Sequence, residues 1–379
     1  MEIYLESIKT AFLIFPFLAF LVTIPYLLFE YHKYGSVPLI RSSIVYTFIL
    51  YLLTAYFLVI LPLPSKEEVL AMPSKVPQLI PFSFINDFIT SLKENQGLSF
   101  FTSPIVYTTL FNIAITMPFG IYLRYYFKKK WYQVIIDTFL LSLFFEITQL
   151  TGLYGIYDKA YRLFDVDDLI INTLGGVLGY IITPIVTIFL PNRDKIDELS
   201  YKNGKNVSIY RRCLAFIIDI FVFATLLFII ITITSFNNTF IIFIITIFIY
   251  YIIIPTITKK TVGKYIVKIK LTSSNKYETI SIFLRQILLY YIFIFGPIIV
   301  IHLNLLTNIL GVFYLIIIIT FYLKAFLRFI GLKKEFFYEK ITKTKNISTI
   351  TYKNESSQSD KNMINYNKEE VEETNENRD

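Results

Sequence analysis

At 379 residues, 55% hydrophobic and 18% aromatic with only 17% charged residues, the chain is too apolar for a water-soluble globule and fits a polytopic membrane protein. A single cysteine, Cys213, excludes an internal disulfide and a cysteine metal cluster, and His32 and His302 lie too far apart in sequence to suggest a histidine-rich metal site. The net charge of +8 is therefore read loop by loop against a bilayer rather than as nucleic-acid binding, and no cofactor or metal is implied.

Apolar runs able to cross about 30 Å of hydrocarbon need about 20 residues. Nine are expected, at 8–29, 44–62, 104–126, 131–150, 168–190, 213–234, 239–257, 283–303 and 308–328. The fold class expected is thus an all-α polytopic membrane protein of about nine transmembrane helices. The first run is read as a retained helix, because Ala11–Phe29 is long, lacks a basic front and has no small-residue cleavage site.

Cations fall in alternate loops. One group is Lys33 and Arg41; the next is Arg124 with Lys128, Lys129 and Lys130; the next runs from Arg193 to Arg212; another runs from Lys259 to Lys276. Arg328, Lys333 and Lys334 follow the last run. The intervening loops Ser235–Asn238 and His302–Thr307 are nearly cation-free and 151–167 is of mixed charge, which places the N-terminus outside and the C-terminus inside. The long segment 63–103 then faces outward. Its stretch PFSFINDFITSL carries Phe84, Phe88 and Leu92 at helical spacing, widened by Ile85 and Ile89; it reads equally as an interfacial or bundle-capping helix and as a structured loop.

The polar stretch 192–210 reads as a cytoplasmic linker between a first membrane domain, 1–191, and a second, 211–345. The tail 346–379, rich in Asn, Ser, Glu and Lys, reads as a disordered cytoplasmic segment.

The densest polar signal is the hairpin from Glu146 to Tyr180. Glu146 and Gln149 share one face of the fourth run, near its outer end. Arg162 lies in the connecting loop. At 100° per residue Asp165, Asp168, Asn172, Gly176 and Gly179 form one stripe of the fifth run, with Asp167 beside them. Gly175 and Gly179 make a G-x-x-x-G pair that admits a close helix, for which the preceding run is the expected neighbour; Gly176 belongs to the same packing surface. Packed together, Glu146, Gln149, Arg162, Asp165, Asp167, Asp168 and Asn172 would form an outward polar mouth. Excess carboxylates there suit proton exchange, cation binding, or recognition of an amine or sugar. By a plainer reading the aspartates cap the helix and Arg162 pairs with Asp165, which only fixes the hairpin. Asp137, at the other end of the fourth run, is assigned to Lys128–Lys130.

The run E-x-x-Q followed by RLFDVDDLIINTLGGVLGY resembles the VanZ family of bacterial membrane proteins. PQLIPF at 77–82, with Gln78 where Asn is usual, and LFNIAITMPFG at 110–120 extend the likeness over about Ile40–Pro191. The resemblance implies a multi-pass protein of the bacterial cell membrane linked to glycopeptide tolerance, teicoplanin above all. It implies no known reaction, and leaves catalytic residues unknown.

In the second domain Arg212 and Asp219 are seven apart and share a face, so Arg212 is the expected partner of the buried carboxylate, with Arg285 as the other candidate. KKTVGKYIVKIKL at 259–271 reads as a short interfacial strand or loop. RRCLAFIID, that segment and LRQ at 284–286 resemble the RDD family, whose closing motif corresponds here to Glu339 and Lys340. The ionisable residues carried over are Arg212, Asp219 and Glu339.

Three functions compete: binding of a lipid-linked cell-wall component or a glycopeptide at the outer mouth, ion/proton exchange or small-solute transport, and membrane enzymology. With no nucleophile motif, phosphate loop or metal-ligand spacing, the enzyme ranks last.

Overall fold

The computed structural model describes residues 2–73, 76–94, 98–101, 103–234, 238–303, 309–329 and 336–351. It is an all-α polytopic membrane protein. Among the described residues, seven helices are long and apolar enough to cross a membrane: Leu5–Lys33, Leu39–Ile60, Pro104–Tyr125, Trp131–Leu150, Val166–Phe189, Ile209–Ile233 and Thr239–Thr258. An eighth crossing exists if Glu278–Ile294 and Gly296–His302, bent by 50°, count as one span. The ninth expected run corresponds to a shorter apolar helix, Gly311–Leu327.

The chain forms two compact units, residues 1–24 with 38–196, and 25–37 with 197–379. The boundary therefore falls inside the polar stretch at 196/197, and the end of the first helix belongs with the second unit.

In the first unit α1 (Glu2–Lys33) and α2 (Leu39–Ile60) lead into a segment holding α3 (Lys66–Ala71), α4 (Ser83–Glu94) and α5 (Leu98–Phe101). Ser65 starts α3 with a capping box, its side chain accepting from Glu68 N–H while Glu68 accepts from Ser65 N–H. The stretch around Phe84 is indeed helical. Phe88 packs edge-on against Phe100 and Ser91 donates to Ser103 at 2.8 Å, whereas Ile85, Ile89 and Leu92 are exposed.

Three helices then build the scaffold of the unit: α6 (Pro104–Tyr125), α7 (Trp131–Leu150) and, after the one-turn α8 (Gly152–Gly155), α9 (Val166–Val186). Glycine decides how they pack. A Cβ on Gly179 would sit 2.0 Å from the Met117 carbonyl oxygen, and one on Gly120 only 1.9 Å from that of Gly176. The G-x-x-x-G face of α9 thus lies against α6, not against the preceding helix as expected. Only Gly176 points to α7, where its missing Cβ leaves room for Thr138. The reason is reciprocal smallness: α6 offers Gly120 and bare backbone at Met117, while α7 presents the β-branched Thr138. At the opposite end from the polar hairpin, Lys129 pairs with Asp137 at 3.1 Å, as assigned.

The second unit contains α10 (Arg193–Gly204) from Asp197 onward, then α11 (Ile209–Ile233), and α12 (Thr239–Ile247) continued through a π-helical segment into α13 (Ile254–Thr258). Next come α14 (Val262–Ile266), strand β1 (Ile269–Ser273), and α15 (Glu278–Gln286) running through a second π-helical segment to α16 (Gly296–His302). It closes with α17 (Ile309–Phe329), α18 (Phe337–Thr342) and strand β2 (Thr344–Ser348). The segment 259–271 is therefore part helix, part strand. β1 and β2 pair antiparallel, from Ile269 opposite Ser348 to Ser273 opposite Thr344. That pairing carries regular structure past the expected boundary at 345, because Asn346–Ser348 are held by ladder hydrogen bonds. Residues 352–379 of the tail, with Lys333 and Lys334, lie outside the described residues. An aromatic core of Phe223, Tyr250, Tyr251, Tyr290 and Phe295 joins the helices.

Candidate functional site

The polar end of the first unit is built by hydrogen bonds between three helices and the segment before them. Asn112 of α6 donates to the Asp168 carboxylate of α9 at 2.7 Å. Asn172, one turn further along α9, donates to Ser142 of α7 at 2.9 Å, and Ser142 lies 3.4 Å from the Asp168 carbonyl. Glu146 of α7 accepts the Asp165 backbone N–H at 3.0 Å, which ties the end of α7 to the start of α9. Gln149 donates to the Val59 carbonyl at 3.1 Å and the Arg162 guanidinium to the same oxygen at 2.6 Å, drawing in the end of α2.

These groups enclose a cavity of about 450 Å³. Its polar wall is Asn112, Glu146, Gln149, Arg162, Asp168 and Asn172; its apolar wall includes Leu58, Val59 and Phe111. Glu146 is 3% exposed and lines this cavity. Two carboxylates, three amides and one guanidinium converge. Such a wall can accept from an ammonium or several hydroxyls, donate to a carbonyl, or exchange a proton.

Of the residues expected at the mouth, Asp165 and Asp167 do not line the cavity. Asp165 caps α9, its side chain accepting from Asp167 N–H at 2.8 Å. Burial lifts the Asp165 carboxyl above the ordinary range, with the Asp167 N–H opposing that rise. Asp167 caps a different helix: it accepts from Phe82 N–H at 2.6 Å, Phe84 N–H at 2.9 Å and the Ser83 hydroxyl at 2.5 Å, at the start of α4. Gln78 shapes the same turn, since its backbone bridges to Phe164 and Val166 and its side chain folds back onto Ile80 and Ser83. Arg162 does not pair with Asp165; its guanidinium turns to the Val59 and Leu61 carbonyls, which the end of α2 leaves without helical partners. The capping reading thus holds for Asp165 and Asp167, and leaves the other five to the cavity.

Asn112 escaped the sequence reading. The signal was present, an amide in the apolar run 104–126, but its partner lies 56 positions away and is reached only through the glycine contact of α6 with α9.

In the second unit Asp219, 1% exposed, is held by the Tyr250 hydroxyl at 2.8 Å, the Thr261 hydroxyl at 2.5 Å and the Gly263 N–H at 2.7 Å. The expected ion pair with Arg212 is not formed. Three donors from α14 and the π-helical segment satisfy the carboxylate because Gly263 lets α14 approach the Ala215 carbonyl closely. Arg212 instead meets Glu339 at 2.8 Å, and Arg285 meets the same oxygen at 3.4 Å. Arg211, fully buried, donates to the Val267 and Lys268 carbonyls at 2.7 Å each and to that of Gly204 at 2.9 Å.

Residues 48–190 match the VanZ/LLP1 family model. The match contains every residue that lines the cavity of the first unit, which is a VanZ-like membrane domain. No curated protein and no solved structure matches the chain.

Proposed function

We propose that the VanZ-like domain binds an envelope component, a lipid-linked cell-wall precursor or a glycopeptide, in the cavity beneath Glu146 and Asp168, and thereby alters teicoplanin susceptibility of a bacterial cell. The orientation we assign puts this cavity on the outer face, with Lys128–Lys130 at the cytoplasmic end. The observation that carries the reading is the convergence of Glu146, Asp168, Asn112 and Asn172 from three helices onto one recess. Its mixed donors and acceptors suit a sugar or amino-sugar better than a bare ion, which needs oxygens alone.

The test is a teicoplanin survival assay on a deletion strain complemented with the protein, or with Glu146→Ala, Asp168→Ala or Asn172→Ala, expression being checked by blot. Deletion is expected to raise sensitivity, and each variant to reproduce the deletion at normal abundance. Unchanged survival in all of them rules the assignment out.

The second reading is ion/proton exchange, favoured by two buried carboxylates facing one cavity. It predicts proteoliposome flux driven by a pH or sodium gradient and abolished in Glu146→Gln. The RDD-like resemblance of the second unit, with Arg212, Asp219 and Glu339, belongs with this reading.

A further inference from the structure

The second unit holds a cavity of its own, about 420 Å³, whose charged residues are Arg212, Lys264 and Arg285, with the Asn346 amide and three tyrosines beside them. Lys264 is 6% exposed, and among the described residues its ammonium has no hydrogen-bond acceptor. Its nearest aromatic neighbour is Tyr290, with the ring centroid 5.7 Å from Nζ. Both guanidiniums share one carboxylate oxygen of Glu339, which is also taken by the Asn346 amide at 3.1 Å. The other buried carboxylate in this region, Asp219, is already filled by Tyr250, Thr261 and Gly263. Among the described residues, three cations therefore face the cavity, and the Glu339 carboxylate touches two of them.

A buried ammonium without an acceptor is costly, and an anion in the cavity would remove that cost. Burial depresses the Lys264 amine to about 7, with the Arg285 charge adding to the depression, as expected where negative charge is in short supply. The rest of the wall is apolar: Phe216, Leu289, Ile294 and Phe326 extend from the cations along helices of the membrane region. A cationic recess continued by an apolar wall has the shape of a headgroup and its chains.

We propose that this cavity binds the phosphate of an anionic phospholipid, with Lys264 and Arg285 holding the phosphate oxygens and Leu289 and Phe326 flanking the acyl chains. Free phosphate shares the headgroup chemistry but not the apolar wall.

The experiment is native mass spectrometry and thermal melting of the full chain in detergent, with phosphatidylglycerol, phosphatidylcholine or inorganic phosphate added in turn. The wild type is expected to retain phosphatidylglycerol in preference to phosphatidylcholine and to melt higher with it. Lys264→Met is expected to lose at least tenfold in that retention, while Lys264→Arg keeps it. If Lys264→Met does not fold, Lys264→Gln carries the same comparison. Equal retention of the two lipids by the wild type, or undiminished retention by the neutral variants, overturns the proposal. Stabilisation by inorganic phosphate equal to that by the lipid overturns the lipid as occupant and leaves a phosphate site.

Discussion

The two units each hold a cavity of similar size, about 450 Å³ and about 420 Å³, with charged groups of opposite sign in their walls. The first is acidic and amide-rich, and most of its polar wall comes from one hairpin, Glu146 to Asn172. The second is basic, with Arg212, Lys264 and Arg285 in its wall and Glu339, 127 positions from Arg212, bridging the two guanidiniums behind it. Their carboxylates are handled differently too. Asp168 is met by one amide, which leaves the group available to a ligand, whereas Asp219 has three donors and Glu339 two guanidiniums. A carboxylate saturated by its own fold organises packing; one left partly open faces a cavity.

The largest effects should come from what holds each unit together. Gly179→Val would drive a side chain into the Met117 carbonyl, 2.0 Å from even a Cβ, and over-packing costs about 1–3 kcal/mol, more where backbone must shift as here. We expect the variant to fail to accumulate as a monodisperse species by fluorescence-detected gel filtration. A normal profile would show that the glycine contact of α6 with α9 does not set the first cavity.

Next is Glu339→Gln, which removes the carboxylate shared by Arg212 and Arg285. Breaking a buried ion pair on one side costs about 3–5 kcal/mol, and the melting temperature in detergent should fall accordingly. A change no larger than that of an exposed substitution would dissolve the contrast between a saturated and an open carboxylate.

Asp167→Ala should cost about 1–3 kcal/mol, since it strands the N–H groups of Phe82 and Phe84. Hydrogen exchange should speed up across residues 82–94 while teicoplanin survival stays closer to wild type than in Asp168→Ala. If the two aspartates behave alike, the division between capping and cavity residues is wrong.

The last effect is one of pH. Burial pushes the Lys264 amine down to about 7, against 10.5 for an ordinary lysine. Facing it are Arg285, Asp219, Arg212, Glu339 and Tyr290. Between those two pH values the folded chain holds fewer protons than the unfolded one, so stability should rise with pH across that window, the cost of the buried charge being full below about 7. Lys264→Met should flatten the rise in melting temperature; an unchanged slope would place the titration elsewhere.

Much of this was legible in the residues. Apolar runs report their own burial in lipid, so the polytopic class followed from composition and length. The hairpin was legible for a related reason: Glu146, Gln149, Asp168 and Asn172 interrupt apolar runs at helical spacing, and only a shared polar environment accommodates them there. What stayed hidden were partners. Asp219 was matched to the nearest cation on its own helix face, yet Gly263 lets a distant N–H arrive first.

The sequence alone determined that this is a helical membrane protein with a polar hairpin of VanZ-like pattern, because hydropathy and helical periodicity are properties of neighbouring residues. Tertiary structure decided that Gly175 and Gly179 pack on α6, that Asn112 joins the site, that Asp165 and Asp167 cap helices, and that Glu339 neutralises Arg212. Each of those outcomes depends on which backbone can come closest, and that depends on side-chain size on two helices at once.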